Sequence, residues 1–588
     1  MTTLSSIRLT SIEDAGAGGV QVYATPSLLP TTGMTAGDQA FVTSNQRLYI
    51  STGSGWYNVA LINSTPTFTT GPDATYALAT DLTPTVITLL AQDSDGQVVT
   101  YSASDSGMTG IATLSQDSSV FTITPLTDSA GGDIGTFTIT FQATDGIGIA
   151  SALSTFTLSF GPDWSVTPTE TILRSSDIQA GDTFGNGTSI NDAGDYIAVS
   201  ARYEDGGAGD PLSNAGAVYV FNKSGGTWSE QQKLTASDAT AGDGLGGNGT
   251  EESVPLMISG DGLYIIAGAD AANSGSGVVY IFARSGSTWT QQQKISPPSG
   301  YGTNDRFGTT VALNYDGTYA AIAAPRFDND GSVFQGIVRI YTRSGSTWSD
   351  TTTNLQPSDV VAAYRPRFGS GGLQFNEDAT YLAVAAHGRT ASGLSDAGAV
   401  YVFTRSGSTW SEQAIIVSSD IQASDKFGAS IGLTPDANYL IVGATFEDGG
   451  AGDPLTSSGA AYVFTRSGST WTEQAKLTAS DAQADDWFGN KVAISNDGKY
   501  AVVKAGREDG PNDAISNSGA LYVFERDGST WTEIRKIRAS DAQADDQLGH
   551  SIDISGDGSI IAAGTQFEDG GVGDPLASSG ALYVYEAG

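Results

Sequence analysis

The chain has no cysteine and only two histidines among its 588 residues. The lack of cysteine excludes disulfides, thiol nucleophiles and cysteine-ligated zinc. A Ser-His-Asp triad would need His387 or His550 beside a nucleophile and a carboxylate, and no Gly-x-Ser-x-Gly elbow supports one. We therefore predict a protein that is not an enzyme.

Basic residues are also scarce, since 27 Lys and Arg stand against 64 Asp and Glu and give a net charge of −37. Nucleic-acid binding needs a basic footprint, so no nucleic-acid partner is expected. No apolar run approaches the roughly eighteen residues of a membrane helix, so no membrane insertion is expected. The first residues lack a charged start followed by an apolar core, and no signal peptide is expected.

What the sequence does contain is a repeat of about sixty residues. Each of the seven copies has a Phe-Gly or Leu-Gly pair, and in all but the last a Gly-Ser-Thr-Trp segment or a close variant comes further on. A fixed period of this length is typical of units that bury their apolar faces by stacking on one another. The seven pairs begin at Phe184, Leu245, Phe307, Phe368, Phe427, Phe488 and Leu548, and the segments end at Trp228, Trp289, Trp348, Trp410, Trp471 and Trp531.

The repeat from Asp425 to Leu477 predicts four short strands, at residues 427–433, 439–444, 459–465 and 470–477. The second and third are almost wholly apolar, which indicates a sheet covered on both faces. Four antiparallel strands in each of seven repeats predict a β-propeller. An open solenoid of stacked repeats is the alternative.

The two ends of the repeat region favour a closed ring. The seventh repeat stops at Gly588, after its third strand, so its fourth strand is missing. Residues 163–177 match a fourth strand and include Trp164, although they precede the first repeat. A ring needs such a displaced strand to join its first and last blades, whereas an open solenoid does not. We therefore predict a seven-bladed propeller closed by residues 163–174.

In the repeat from Asp425 to Leu477, a Phe-Gly pair is followed by an apolar strand ending in Val442-Gly443-Ala444 and then by Gly-Ala-x-Tyr-Val-Phe. This order of motifs resembles the FG-GAP repeat of integrin α-subunit propellers. The resemblance covers residues 163–588 and implies a binding or adhesion module. Many members of that family hold calcium in an Asp-rich loop between the first two strands. Here that turn, for example Asn191–Asp195, is too short to supply six or more oxygens, which puts those calcium sites in doubt.

The first 62 residues read as a small β module, with a hairpin formed by residues 38–43 and 46–51. The stretch from Gly37 to Asn63 resembles modules in virion proteins of marine cyanobacterial phages. That resemblance implies a location on the virion and attachment to other virion proteins. The alternative is a generic β module that docks on the next domain.

Residues 63–162 predict a β-sandwich, because residues 135–143 alternate cleanly between apolar and polar side chains. The segment resembles the cadherin-like or Ig-like spacers of surface proteins. Asp93, Asp95 and Asp145 could meet around a calcium ion, which would then be the cofactor of the protein. The alternative is that these aspartates cap tight turns through their own backbone.

Charge is expected to divide between the two faces of the propeller. Lys223, Arg284, Arg343, Arg405, Arg466 and Arg526 precede the fourth strands and would ring one face. The other face would carry Asp205, Asp210, Asp448, Asp453, Asp569 and Asp574 in long loops, with the pairs Asp177/Asp182, Asp420/Asp425, Asp481/Asp485 and Asp541/Asp545 between blades. These acids serve either to solvate the protein or to form a cation-loaded face for surface glycans or proteins.

Together these patterns predict an all-β chain of three domains, residues 1–62, 63–162 and 163–588. The preferred function is a non-enzymatic phage virion structural protein, such as a tail fibre, a tail-associated component or a capsid-decorating appendage. Its propeller would bind a host-surface glycan or protein. A secreted or cell-surface bacterial adhesin and a carbohydrate-active enzyme are the alternatives. A homo-oligomer is compatible with the sequence, although no coiled-coil heptads support one.

Overall fold

The protein divides into two compact units, Met1–Gly161 and Pro162–Gly588. The three domain boundaries proposed above stay predictions. No helix in the described part of the chain is long and apolar enough to cross a membrane. The computed structural model describes residues 20–44, 47–59, 64–78, 84–93, 98–109, 111–126, 135–158, 162–205, 211–247, 254–328, 334–359, 366–390, 393–448, 455–510, 514–569 and 576–588.

The first unit begins with a four-stranded sheet around a small core of Leu29, Ala40, Val42 and Tyr49. The predicted hairpin is present as two antiparallel strands, and a further strand, not predicted, pairs in parallel with the first of them. A short 3₁₀ turn, Pro26–Leu28, lies between them in the chain. The strands are β1 (Gln21–Tyr23), β2 (Ala36–Val42), β3 (Arg47–Thr52) and β4 (Trp56–Val59), in that order across the sheet.

The rest of the first unit is a β-sandwich whose two main sheets share one core. Phe121 and Ile123 enter that core from one sheet and Phe137, Phe141 and Phe156 enter it from the other. The sheets have the orders β10-β11-β7 and β6-β13-β12-β9, with β5 paired to β8. The strands are β5 (Thr67–Thr70), β6 (Thr75–Ala77), β7 (Thr85–Thr88), β8 (Leu90–Gln92), β9 (Thr100–Ser106), β10 (Ala112–Asp117), β11 (Val120–Pro125), β12 (Gly135–Thr144) and β13 (Ile149–Leu158).

The described part of the second unit contains seven four-stranded antiparallel sheets, which we number as blades 1 to 7. Blade 1 is β15 (Phe184–Ile190), β16 (Tyr196–Ala201), β17 (Ala217–Ser224) and β18 (Thr227–Leu234). Blade 2 is β19 (Leu256–Ile258), β20 (Tyr264–Ala269), β21 (Val278–Ser285) and β22 (Thr288–Ile295), with a short helical turn, Ala272–Gly275, after β20. Blade 3 is β23 (Thr310–Leu313), β24 (Tyr319–Ala324), β25 (Ile337–Ser344) and β26 (Thr347–Leu355).

The remaining blades repeat the pattern, and the strands of blade 5 lie within two residues of their predicted bounds. Blade 4 is β27 (Leu373–Phe375), β28 (Tyr381–Ala385), β29 (Val400–Ser406) and β30 (Thr409–Ile416), and blade 5 is β31 (Phe427–Leu433), β32 (Tyr439–Ala444), β33 (Ala460–Ser467) and β34 (Thr470–Leu477). Blade 6 is β35 (Phe488–Ile494), β36 (Tyr500–Ala505), β37 (Ala520–Asp527) and β38 (Thr530–Ile537). Blade 7 is β39 (Ser551–Ile554), β40 (Ile560–Thr565), β41 (Ala581–Glu586) and β14 (Thr169–Leu173).

The fourth strand of blade 7 comes from ahead of blade 1, so the predicted closure is confirmed. In β14, Ile172 pairs with Tyr583 of β41. Trp164 is fully buried in the core shared by blades 6 and 7, and its indole N–H donates to the carbonyl of Gly558 at 2.9 Å. A ring closed by a strand from the other end of the repeat region has no free sheet edge at that point.

Neighbouring blades are joined where the Phe-Gly or Leu-Gly pair of one blade meets the glycine just ahead of the third strand of the blade before it. Phe488 forms a parallel bridge with Gly459, and Phe184 forms the same bridge with Gly580 at the closing junction. Gly580 has φ +85°, and a Cβ there would lie 1.9 Å from the carbonyl oxygen of Phe184. The position therefore requires glycine both for its backbone conformation and for the space it leaves.

The opposite face uses arginine to link the blades. The guanidinium of Arg466 in blade 5 lies 4.6 Å from the ring centre of Tyr381 in blade 4, and its Nε donates to the carbonyl of Ala437 at 2.6 Å. Arg284, Arg343, Arg405 and Arg526 make the equivalent contacts with Tyr196, Tyr264, Tyr319 and Tyr439. Such cation–π contacts stabilise by about 0.5–2 kcal/mol, so the predicted ring of basic residues is an inter-blade clamp.

The closing junction can be tested with Gly580→Ala, compared with Gly407→Ala. Both glycines have positive φ, but a Cβ at Gly407 would meet no atom within 4 Å. The control change should cost roughly 1 kcal/mol for the left-handed backbone alone, whereas Gly580→Ala should cost about 3 kcal/mol or more because the junction must also shift. Denaturant unfolding of the full chain measures both, and equal losses would contradict this account of the junction.

Candidate functional site

The candidate site lies on the loop face, the face that carries the links between blades and the loops between second and third strands. Four consecutive blades, 5, 6, 7 and 1, place the same four acidic residues there, two from the link and two from the end of the second strand. We call each set an acidic corner. The corners are Asp420, Asp425, Glu447 and Asp448; Asp481, Asp486, Glu508 and Asp509; Asp541, Asp546, Glu568 and Asp569; and Asp177, Asp182, Glu204 and Asp205.

A cation joins the first aspartate of each corner to the glutamate. In blade 5, Lys476 Nζ lies 2.7 Å from Asp420 and 2.5 Å from Glu447, and the hydroxyl of Tyr462 donates to Asp420 at 2.7 Å. Burial alone would raise the pKa of Asp420, but the hydrogen bonds from Lys476 and Tyr462 hold it below its ordinary value. Lys233 and Lys536 do the same in blades 1 and 6, and Arg174 pairs with Glu568 in blade 7.

In the second aspartate of each corner the pKa is raised instead of lowered. Asp425 is buried and accepts a hydrogen bond from the backbone N–H of Gln422 at 2.7 Å. Its burial, with the nearby carboxylate of Glu447, raises its pKa to about 6. Burial likewise raises the pKa of Asp486 and Asp546 to about 6 and that of Asp182 to about 7. These four carboxyls therefore titrate near neutral pH.

The sequence placed two of these residues one position too early. Asp485 and Asp545, which the sequence analysis paired with Asp481 and Asp541 between blades, are exposed and have left-handed backbone with φ +66° and +70°. The same place in blade 1 is Gly181, with φ +89°. The buried members are Asp486 and Asp546, and the error arose because two adjacent aspartates are indistinguishable by spacing alone.

The predicted ligand-binding aspartates that the structure describes hold the bases of the long loops. Asp205, Asp448 and Asp569 each accept a hydrogen bond from a backbone N–H on the returning side of the loop, at 2.8, 2.8 and 2.6 Å. Among the described residues, no group of three or more His, Asp or Glu side chains is arranged to hold a metal ion. The other three predicted residues, Asp210, Asp453 and Asp574, lie outside the described residues, and a role in ligand binding stays a prediction.

The predicted calcium site in the first unit is described only in part. The carboxylate of Asp145 accepts backbone hydrogen bonds from Ile147 at 2.7 Å and Gly148 at 2.6 Å, so this residue caps its own turn. Asp93 follows β8, and Asp95 lies outside the described residues. The turn-capping alternative thus holds for Asp145, and calcium at this place stays a prediction.

The structure brings one of the two histidines against a serine, which the sequence did not indicate. His387 Nδ1 lies 3.0 Å from Ser370 Oγ, while that hydroxyl donates to the carbonyl of Arg367 at 2.7 Å. Both side chains are buried. A serine hydroxyl that is buried and bonded to a carbonyl is poorly placed to attack a substrate, so we assign this pair a structural role. His550 bonds to Gln566 at 3.0 Å.

The inner strands of all seven blades line a central channel of about 180 Å³. At the end away from the loop face, the turns between first and second strands bond to one another, for example Asp192 N–H to the Gly260 carbonyl at 3.1 Å. A Cβ at Gly260 would lie 2.4 Å from the ring of Tyr315, so the turns are close together there. Inside the channel, burial raises the pKa of Asp553 to about 6.

The loop face also carries aromatic residues that the sequence analysis missed. Phe446 and Tyr203 each lie two residues beyond the end of a second strand, and their backbone N–H groups donate to the carbonyls of Asp425 and Asp182. Trp487 directly precedes the Phe-Gly pair of blade 6 and packs edge-on against Phe446 at 5.3 Å. Their shared position in the repeat could have revealed them. In three of the four blades the residue before the corner glutamate is aromatic, namely Phe446, Phe567 and Tyr203.

Comparison with known proteins supports the propeller fold. The FG-GAP repeat family matches residues 169–221, 289–336, 410–464, 471–524 and 531–585, which confirms the resemblance for these repeats. The resemblance of the N-terminal segment to cyanophage proteins stays a prediction. No relative was found among curated proteins.

Several solved structures are similar at low identity. They include the periplasmic gluconolactonase of Pseudomonas aeruginosa (14% identity, TM-score 0.39, 71% of this chain and 96% of that one). Others are the GH74 enzyme of Niastella koreensis (13%, 0.32, 70% and 70%) and the β-propeller domain of the Trilobed protease of Pyrococcus furiosus (8%, 0.31, 72% and 98%). At these identities and TM-scores the likenesses carry no argument about the function of this chain.

The buried carboxyls predict a pH dependence of stability. An acid whose pKa rises on folding binds its proton more tightly in the folded state, so its contribution is present below the unfolded pKa of 3.8 and is lost as pH rises through about 6. The free energy of unfolding should therefore fall between about pH 5 and about pH 7.5. In Asp425→Asn that fall should be smaller by roughly 1 kcal/mol.

The matched control is Asp378→Asn, because the pKa of Asp378 is held below 3.8 by hydrogen bonds within its own turn, against the effect of burial. This group is ionised throughout that pH window, so its removal should leave the pH dependence unchanged. Denaturant unfolding at both pH values measures the effect, and an Asp425→Asn profile parallel to that of the unchanged protein would contradict the assignment.

Proposed function

We propose that the protein is a non-enzymatic structural component of a phage virion that displays a rigid propeller for binding to the host surface. The N-terminal module, residues 1–62, would attach it to other virion proteins, and the loop face would meet the host. The observation that carries the display role is the way the loop bases are fixed. Asp448 and Glu447 both accept backbone N–H bonds from the returning side of the loop in blade 5, from Ser457 at 2.8 Å and Gly459 at 2.8 Å.

Equivalent bonds fix the loop bases in blades 1, 6 and 7, where Gly216, Gly519 and Gly580 donate to Glu204, Glu508 and Glu568 at 2.9, 3.0 and 2.9 Å. A binding surface whose supports are already ordered loses little conformational entropy when a ligand binds. The virion setting is supported by the N-terminal resemblance alone. A tail fibre, a tail-associated protein and a capsid decoration are all compatible with it.

Two other functions are the alternatives. A secreted or cell-surface bacterial adhesin would use the same loop face in another setting. A carbohydrate-active enzyme would need a pair of carboxylates about 5–10 Å apart and open to substrate, and the acidic corners supply many carboxylates. The first alternative is favoured if uninfected cells carry the protein, and the second if glycan cleavage is lost on aspartate substitution.

The virion proposal predicts that the protein is part of purified particles. Mass spectrometry of gradient-purified virions should detect it at a constant ratio to the major capsid protein, and antibodies to it should label intact particles. Added full-length protein should reduce phage adsorption to host cells in a dose-dependent way. Its absence from particles, together with its presence on uninfected cells, would contradict the proposal and favour the adhesin.

A further inference from the structure

We infer that the loop face of blades 5, 6, 7 and 1 binds a neutral polysaccharide by stacking its sugar rings on an arc of aromatic side chains. The inference rests on the proposed host-binding role and names the class of ligand. We call Phe446, Trp487, Phe567 and Tyr203 the aromatic arc. They lie in order on blades 5, 6, 7 and 1, which are consecutive around the ring because blade 7 closes on blade 1.

The arc is accessible even though its members belong to a packed ring. Tyr203 is 39% exposed and Phe567 is 37% exposed, whereas Phe446 and Trp487 are half-buried. Three of the four occupy the same place in their blades, directly before the corner glutamate. In blade 6 that place is taken by Arg507, and the adjoining Trp487 supplies the aromatic ring instead.

Neighbouring side chains fix the orientation of Trp487. The guanidinium of Arg507 lies 3.4 Å from the centre of its ring, Phe446 packs against its edge, and Lys426 lies 4.7 Å from the ring centre of Phe446. The four groups form a row across the junction of blades 5 and 6, with the two aromatic rings side by side and one cation at each end. A ring held in this way is ordered before a ligand arrives, which lowers the cost of binding.

Aromatic rings and carboxylates together suit a sugar. The C–H face of a pyranose is apolar and packs on an aromatic ring, while its hydroxyls donate hydrogen bonds to carboxylates. Each arc residue lies beside an acidic corner, as shown by the backbone bond from Phe446 to Asp425 and that from Tyr203 to Asp182. Asp425 and Asp182 are themselves buried, but the first aspartates of the corners, such as Asp420 and Asp481, have side chains that are 39% and 51% exposed and can accept hydrogen bonds from a ligand. The same surface therefore offers stacking and hydrogen-bond acceptors together.

Charge and repetition decide which glycan fits. The net charge is −37 and the loop face holds four acidic corners, so a polyanionic chain would be repelled. The arc repeats from blade to blade, and a repeating surface best matches a repeating ligand because successive contacts then add without a second association cost. A neutral chain of sugar units meets both conditions.

The test uses affinity electrophoresis of the full-length protein in gels that contain dextran, mannan or polygalacturonate. We expect retardation by at least one of the two neutral polymers and none by polygalacturonate. Trp487→Ala and Phe567→Ala should each weaken binding about tenfold, which corresponds to the loss of one good stacking contact. Tyr315→Ala is the control, since Tyr315 is similarly exposed, at 41%, but belongs to a turn on the opposite face.

Circular dichroism and the melting temperature of each variant show whether it is folded. If a folded Trp487→Ala or Phe567→Ala binds as tightly as the unchanged protein, or if only polygalacturonate or no polymer is bound, the inference is wrong. The proposed function is tested separately through virion content and inhibition of adsorption. A protein that inhibits adsorption equally with and without Trp487 would keep the host-binding role and exclude the aromatic arc.

Discussion

The close approach of two glycine-containing pairs is the constraint on which the propeller depends. At each junction the Phe-Gly or Leu-Gly pair of one blade passes the glycine just ahead of the third strand of the blade before it, and the backbone of that pair occupies the space where a Cβ of this glycine would lie. At Gly459 that distance would be 1.9 Å, as it would at Gly580. Because the closing junction has the same geometry as an internal one, the ring closes without a special adaptor.

The electrostatics of the loop face follow from this packing. Each acidic corner combines an aspartate that stays ionised beside a lysine or arginine with a second one whose proton is held by burial. Asp420 and Asp425 illustrate the pair, and their pKa values move in opposite directions within five residues of each other. Much of the acidic charge that looks like a ligand-binding feature in the sequence is thus used within the fold, to hold links and loop bases.

The sequence predicted most of the propeller because every repeat carries the same signals, so a weak pattern in one blade was supported by six others. Pairing of β14 with β41 was predictable since the missing strand had a recognisable copy, including Trp164, at the other end. The aromatic arc was not predictable in the same way. Phe446 and Trp487 are far apart in sequence, and only the junction between blades 5 and 6 brings their rings to 5.3 Å. Burial also decided which of the adjacent Asp485 and Asp486 enters a corner, and sequence spacing does not report burial.

The displaced strand also determines how the propeller would carry mechanical load. The connection from the first unit enters the second at residue 162 and continues directly into Trp164 and β14. A pull transmitted from that side therefore acts first on the seal of the ring, where β14 lies along β41 and Ser540 bonds to Glu170. The whole set of hydrogen bonds along that strand shares the tension, together with the buried indole. Blades 1 to 6, whose four strands each follow one another in the chain, would stay intact until this seam gives way.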